Sequence, residues 1–219
     1  MKTSLFDPLE PEEILAEVVA GLIMVLTFTL IASLLSQGGD NGPRAFVIAA
    51  AGCNIAWGVI DAALYLLGCK TVRSYRRLFL RKVQRAPDQN AAQEIVRREW
   101  EPILAQAAPE EDRERLYSAM RQLAVNARPI SAKLRLDDFK GALAIFFLVC
   151  ATVVPAILPF LFLPNDWLTL RLSNLLLVAL LFVAGWRWAR VIDASPFLTG
   201  AALVALGLVL VGLAAALGG

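Results

Sequence analysis

The stretch IAAAGCNIAWGVIDAALYLLG, residues 48–68, decides how the rest of the chain is interpreted. It is long and apolar enough to cross a bilayer, yet it carries Asn54 and Asp61 in its interior. An ionisable side chain inside a membrane span costs about 3 kcal/mol on insertion scales, so it needs a partner, a cavity or a functional role. Asn54 and Asp61 are two helical turns apart and therefore share one face of a helix.

The same face is predicted to carry Trp57, Gly58 and Tyr65. Gly58 removes a side chain at a point where another helix, or an ion, can approach closely. The alternative is that Asp61 is structural and only caps or pairs within a helical bundle.

Composition places the chain among membrane proteins. Of its 219 residues, 58% are hydrophobic, against about 45–50% in soluble domains. The acidic N-terminus leads into an apolar stretch too long for a signal peptide, so the first span is expected to remain as an anchor. The absence of histidine excludes His-ligated metals, Ser-His-Asp triads and histidine proton relays. Three cysteines without CxxC spacing, Cys53, Cys69 and Cys150, are interpreted as buried thiols.

Hydrophobic segments predict five spans, and their approximate ranges are 14–36, 45–68, 140–163, 167–187 and 195–217. A turn-rich loop is predicted at 36–44. In the third span, Pro155 and Pro159 each remove a backbone donor and should kink the helix. The predicted fold is an all-α polytopic membrane protein with five transmembrane helices and a cytoplasmic helical insert between the second and third. The domain boundaries are 1–68 (first two spans), 69–139 (insert) and 140–219 (last three spans).

The distribution of positive charge predicts the orientation. Sixteen of the 21 lysines and arginines lie between Lys70 and Lys140. The positive-inside rule therefore places the insert and the N-terminus in the cytoplasm and the C-terminus outside. The expected location is a bacterial inner (plasma) membrane. The basic run RSYRRLFLRKVQR can indicate nucleic acid, but beside a span it predicts contact with anionic lipid, so the bilayer is the expected partner and nucleic acid is not.

A polar path is predicted between the first two spans. If these helices are antiparallel neighbours, Glu17, Asp61, Asn54 and Met24 form a ladder from the cytoplasmic surface to the middle of the bilayer. Carboxylates and amides suit a divalent cation, and a thioether adds the softness appropriate to Fe²⁺. The alternative for Met24 is ordinary packing or lipid contact.

The insert contains further candidate metal ligands, Glu94, Glu101, Glu111 and Glu114, among six closely spaced glutamates. Glutamates interleaved with arginines also form solvated, salt-bridged surfaces, so both interpretations stay open. Two or three helices are predicted here, which pack on each other or on a dimer mate. Six residues at helical spacing are predicted to form their buried face: Trp100, Ile103, Leu104, Leu116, Met120 and Leu123.

The layout of two spans, a helical insert and three spans resembles the vacuolar iron transporter family. The segments that carry the resemblance are ATVVPAILPF (151–160), LLFVAGWRWAR (180–190), SPFLTGAALVALGLVLVGLAAALGG (195–219), GLIMVLTFT (21–29) and GCNIAWGVIDAALYLL (52–67). The resemblance implies a divergent bacterial member: a homodimer that exports Fe²⁺ or Mn²⁺ by proton antiport along its first two spans, with glutamates binding metal in the insert. Where the family has an Asn-Asp-Gly motif this chain has GLIMV, and Asp61 stands near the family's second-span glutamate.

The expected function is thus divalent metal-ion transport, with no cofactor besides the transported ion. A non-transporting membrane protein of the same fold, which binds or regulates a partner through its insert, is the alternative. Without histidine, a nucleophile motif or CxxC, we expect no enzymatic activity.

Overall fold

The computed structural model describes residues 5, 6, 8–35, 43–164 and 166–217, and all regular secondary structure in these ranges is helical. The predicted all-α class is therefore confirmed for this part of the chain. The predicted loop at 36–44 lies almost entirely outside the described residues. The helices are α1 (Pro11–Leu35), α2 (Pro43–Gln84), α3 (Gln89–Ala107), α4 (Glu110–Val125), α5 (Leu136–Ala151), α6 (Val154–Ile157), α7 (Pro159–Phe162), α8 (Trp167–Ala189) and α9 (Pro196–Ala216).

Within the described ranges, five helical segments are long and apolar enough to cross a membrane, as predicted. They are Pro11–Ile31, Ala45–Gln84, Leu136–Ile157, Trp167–Ala189 and Pro196–Ala214. A span needs about 20 residues, and α2 has 42. Its basic second half therefore continues the helix well beyond the length that a bilayer requires.

The chain divides into two compact units, which we call the bundle (Met1–Tyr65 with Leu136–Gly219) and the basic unit (Leu66–Arg135). In the bundle, α1 packs against α5, α8 and α9. The core between these helices contains the fully buried Val25, Leu26, Leu177 and Leu181. Their burial reflects dense packing between these helices.

Glycines set the contact between α8 and α9. A Cβ atom added at Gly185 would lie 2.8 Å from the Cα atom of Gly200, and one added at Gly200 would lie 2.8 Å from the Phe182 ring. The two backbones can approach this closely only because side chains are missing on both sides. Gly185 and Gly200 therefore form a contact between two helices of the same chain.

In the bundle, one face of α2 is buried and the rest of the helix is exposed. Asn54 and Gly58 are buried on that face, with Asp61 and Tyr65 half-buried along it. A Cβ atom at Gly58 would lie 3.2 Å from the backbone oxygen of Phe146 on α5. Of the two predicted possibilities, a helix or an ion, it is therefore a helix that approaches Gly58. Trp57 is 44% exposed. It stands four residues before Asp61, about 40° around the helix from it, and so lies at the exposed edge of this face rather than among its buried residues.

The third span is interrupted rather than continuous. Helix α5 ends at Ala151, and the single-turn helices α6 and α7 follow, with Pro155 and Pro159 in their first turns. Proline cannot donate the backbone hydrogen bond that would extend the preceding helix. Two side chains bond to backbone oxygens near this break: Thr152 Oγ1 donates to the Val149 carbonyl at 2.7 Å, and Ser173 Oγ donates to the Ala156 carbonyl at 2.9 Å.

The basic unit has a small core of its own, formed by the end of α2 together with α3 and α4. Val83, Ala92, Val96, Tyr117 and Ala124 are buried there. Burial, with a 2.6 Å hydrogen bond to Glu101, raises the pKa of the Tyr117 phenol. Asp88 caps α3 by accepting a hydrogen bond from the Ala91 amide at 2.8 Å.

Only part of the predicted buried face of this unit is buried within the chain itself, and its burial against a dimer mate stays a prediction. Leu104 and Met120 are partly buried against the core, whereas the other four predicted residues are exposed: Trp100, Ile103, Leu116 and Leu123. The actual stripe on α3 and α4 is rotated toward Val96 and Tyr117, because those side chains also meet Val83 of α2. Pro102 lies inside α3.

Candidate functional site

The carboxyl groups of Glu17 on α1 and Asp61 on α2 lie next to each other and interact directly. Both side chains are half-buried. The Oδ2 atom of Asp61 is buried and has no hydrogen-bond partner within the described part of the chain. Two carboxylates this close repel each other unless a proton or a cation lies between them. The pair can therefore bind positive charge.

The second part of the site is Asn54, seven residues before Asp61 on α2, whose side chain is completely buried. Its Nδ2 atom donates hydrogen bonds to Thr152 Oγ1 at 2.8 Å and to the Val149 carbonyl at 3.3 Å. Its Oδ1 atom is buried and has no partner among the described residues. Buried polar atoms are normally paired, so this oxygen is a free acceptor for water, a proton donor or a cation.

Two sulfur atoms form the third part of the site. Cys53 Sγ on α2 and Met24 Sδ on α1 are 3.4 Å apart. Glu17 thus faces Asp61, and Met24, seven residues later, faces Cys53, eight residues earlier. This pairing shows that α1 and α2 run antiparallel along the polar face. The four predicted residues Glu17, Asp61, Asn54 and Met24 therefore lie on two facing helices.

Gly21 on α1 packs against Thr152, which in turn contacts Asn54 on α2. A Cβ atom at Gly21 would clash with Thr152 Oγ1, so only glycine leaves room for the hydroxyl that Asn54 contacts. Sequence reasoning missed Thr152 and treated Cys53 as an inert thiol. The available signals were the position of Thr152 just before the Pro155 break and that of Cys53 beside Asn54.

Gly21→Ala is expected to destabilise the bundle by about 1–3 kcal/mol, the usual range for overpacking, because the new methyl group displaces Thr152. Gly52→Ala is the matched control, since no atom lies within 4 Å of its Cβ position. The control should be neutral or stabilising by up to about 1 kcal/mol through helix propensity. Unfolding in detergent, followed by circular dichroism, measures both. Thr152→Ala in the Gly21→Ala background should restore stability, and equal effects of the two glycine variants would contradict the packing argument.

A second asparagine side chain, that of Asn174, is buried on α8. Asn174 is 5% exposed, and neither its Oδ1 nor its Nδ2 atom has a hydrogen-bond partner in the part of the chain that the structure describes. Just before this helix, a hydrogen bond from the Thr169 amide lowers the pKa of the Asp166 carboxyl, which caps α8.

The four glutamates predicted as metal ligands in the insert do not converge. Glu94 pairs with Arg98 at 2.9 Å, Glu101 with Arg113 at 3.1 Å, Glu111 with Arg115 at 2.5 Å, and Glu114 with Arg97. Among the described residues, no group of three or more aspartate, glutamate or cysteine side chains is close enough to hold a metal ion. The arrangement is the salt-bridged surface that was the alternative interpretation.

No model of a known protein family matches the chain, and no curated protein shows significant similarity to it.

Proposed function

We propose that this protein is an integral membrane transporter of divalent metal ions such as Fe²⁺ or Mn²⁺, which exports them from the cytosol in exchange for protons. The observation that carries the proposal is the Glu17–Asp61 pair, which joins two facing helices and leaves Asp61 Oδ2 without a partner. Intramembrane carboxyl groups are costly to keep and mark ion or proton pathways.

The charge of the pair supports coupling to protons. Two carboxylates are neutralised equally by one divalent cation or by two protons. Because ligands must be deprotonated to bind metal, protons and the cation compete for the same oxygens. Exchange of one for the other leaves the net charge of the buried site unchanged, which limits the electrostatic cost of the cycle.

The ladder beyond this pair fits a cation that loses water stepwise. Asn54 Oδ1 offers a neutral oxygen about 10 Å further along α2, two turns from Asp61. Met24 and Cys53 follow with polarisable sulfur. Oxygen ligands followed by sulfur favour Fe²⁺ or a similar transition metal over Mg²⁺ or Ca²⁺.

Flux into liposomes tests the proposal most directly. Purified protein is reconstituted and Fe²⁺, Mn²⁺, Zn²⁺ and Co²⁺ are supplied in turn, with and without a pH gradient. We expect transport of Fe²⁺ or Mn²⁺ that increases when protons are supplied on the opposite side. If the protein moves none of these ions under either condition, the proposed transport function is wrong.

Kinship with the vacuolar iron transporter family is part of the proposal. The five span-length helices, the basic unit between the second and third, and the proline break in the third support it. The proposed orientation places the N-terminus and the basic unit in the cytoplasm of a bacterium and the C-terminus outside. In this arrangement Glu17 lies on the cytoplasmic side of Met24.

Reporter fusions check this orientation. A reporter inserted between Ala108 and Pro109 should be active only as a cytoplasmic fusion, and one fused after Gly219 only as an external fusion. The physical reason is the concentration of Lys and Arg between residues 70 and 140. External activity of the first fusion would overturn the orientation.

We expect a homodimer. Outside its one buried face, α2 exposes apolar side chains, including Ile48, Ile55, Val59 and Leu64. An apolar surface of this kind can pack against the same surface of a second copy of the chain. Mass measurement in lipid nanodiscs should give twice the chain mass, whereas a monomer at all protein concentrations would contradict the expectation.

The alternative function is partner binding through the basic unit. The observation in its favour is that this unit exposes Trp100, Ile103, Leu116 and Leu123. Aromatic and aliphatic side chains of this size are enriched at the centres of protein interfaces. Absence of flux, together with partner binding that Leu123→Ser weakens, would favour this function over transport.

A further inference from the structure

We propose that a groove in the basic unit, lined by Lys70, Arg77 and Lys133, binds the phosphate of an anionic phospholipid headgroup. The groove lies between one face of α2 and the segment that follows α4, and its volume is about 640 Å³. Ligand sites commonly have volumes of about 300–1,000 Å³. The proposal rests on the membrane insertion proposed above but not on transport.

The groove is built by a specific contact. Arg73 Nη1 donates a hydrogen bond at 3.1 Å to the backbone oxygen of Lys133, which holds the segment 129–134 against α2. Lys70, Ser74, Arg77 and Arg81 recur at helical spacing and form one stripe, because an adjoining cavity is lined by the last three of them. The basic side chains therefore converge on a shared surface.

The charges of this groove are uncompensated. No carboxylate lines either cavity, and Lys70, Arg77 and Lys133 make no ion pair with any described residue. On α3 and α4, by contrast, Arg97, Arg98, Arg113 and Arg115 all pair with glutamates. Clustered unpaired cations favour an anionic ligand, and guanidinium groups bind phosphate especially well.

The lining indicates a lipid rather than a free ion. Four of the eight lining residues are apolar: Pro129, Ile130, Ala132 and Leu134. They suit the glycerol and acyl parts of a phospholipid, which inorganic phosphate lacks. Lys70 follows the apolar stretch 48–68 by two residues, and Lys133 precedes Leu136, where α5 begins, by three. Basic residues so close to span ends meet the headgroup layer, where each contributes about 1 kcal/mol of attraction to anionic lipid.

Lipid retention by the purified full-length chain tests this inference. The protein is exchanged into neutral detergent, titrated with phosphatidylglycerol or phosphatidylcholine, and examined by native mass spectrometry. We expect selective retention of phosphatidylglycerol. Loss of each charge should weaken it about fivefold, so Arg77→Gln with Lys133→Gln should weaken it about 25-fold. Arg77→Lys, which keeps the charge, should retain most of the binding.

Arg115→Gln is the matched control, because it removes an exposed positive charge outside the groove. Equal retention of both lipids, or an equal loss in the control, would overturn the inference. So would complete displacement of phosphatidylglycerol by low millimolar inorganic phosphate, since the groove would then be a free-anion site. Asp61→Asn should leave lipid retention unchanged, which separates this result from the outcome of the flux experiment.

Discussion

Asp61→Asn is expected to abolish ion flux while leaving the protein folded and in the same oligomeric state. The substitution keeps the shape of the side chain and removes the negative charge that attracts the cation. Loss of an outer-shell contact alone lowers metal affinity about 10–100-fold, so loss of a direct carboxylate ligand should reduce flux by about 100-fold or more. It also leaves Glu17 as the only acid of the pair, so one of the two positive charges of a divalent cation is no longer balanced.

Initial rates of Fe²⁺ or Mn²⁺ entry into liposomes measure this effect. Asp137→Asn is the control, since it removes an exposed carboxylate of α5 that pairs with Lys140 at 2.9 Å. The control should transport normally. A structural Asp61 would give a different result, namely lower thermal stability without selective loss of flux. Neutral behaviour of Asp61→Asn in both measurements would refute the proposed transport role.

Glu17→Gln is expected to weaken ion capture more than it slows the maximal rate. Glu17 on α1 lies beside Asp61 at the cytoplasmic end of the proposed path, so it adds negative charge where the ion first arrives. The half-saturating ion concentration should rise about 10–100-fold, as for loss of one supporting contact. The maximal rate should fall much less, because Asp61 remains.

Saturation curves with the ion on the side of Glu17 test this split. Glu12→Gln, in the exposed first turn of α1, is the matched control and should leave the curve unchanged. If the two acids act as one site, Glu17→Gln should add little to the defect of Asp61→Asn. Additive losses in the double variant would show that the acids act independently.

The polar face of α2 could be predicted because it depends only on the period of a helix. Asn54 and Asp61 are seven residues apart, and any α-helix places them on one side. The bundle buries that side, and Gly58 lies on it as expected. Helical period also places Trp57, four residues before Asp61, near this face, and only the packing around α2 leaves it 44% exposed.

The composition of the site could not be completed from the sequence. That Glu17 meets Asp61 and Met24 meets Cys53 depends on the register between α1 and α2, and periodicity within each helix contains no information about it. Thr152 joins Asn54 only because α5 breaks before Pro155 and its last turn faces Gly21. Contacts across more than 90 residues are decided by packing.

The basic unit shows the same limit. Glu101 and Glu114 were candidate ligands by spacing along their own helices, but α3 and α4 pack so that Arg113 and Arg97 reach these carboxylates first. Charge pairing of this kind satisfies the acids without a metal. The buried face is centred on Tyr117 because its ring fills the space between three helices while its hydroxyl reaches Glu101 at the edge.

The sequence by itself determined that five helical segments can cross a membrane, that a charged helical segment separates the second from the third, and that Asp61 lies on a polar face. These properties follow from hydrophobicity, charge and helical period, which are local. Only the tertiary structure decided which groups meet: the paired acids, the bound amide of Asn54, the two sulfurs, and the unpaired cations around Lys133. The physical reason is that helix register and rotation are set by side-chain packing, including the missing side chains of Gly21 and Gly58, and that packing depends on residues distant in the chain.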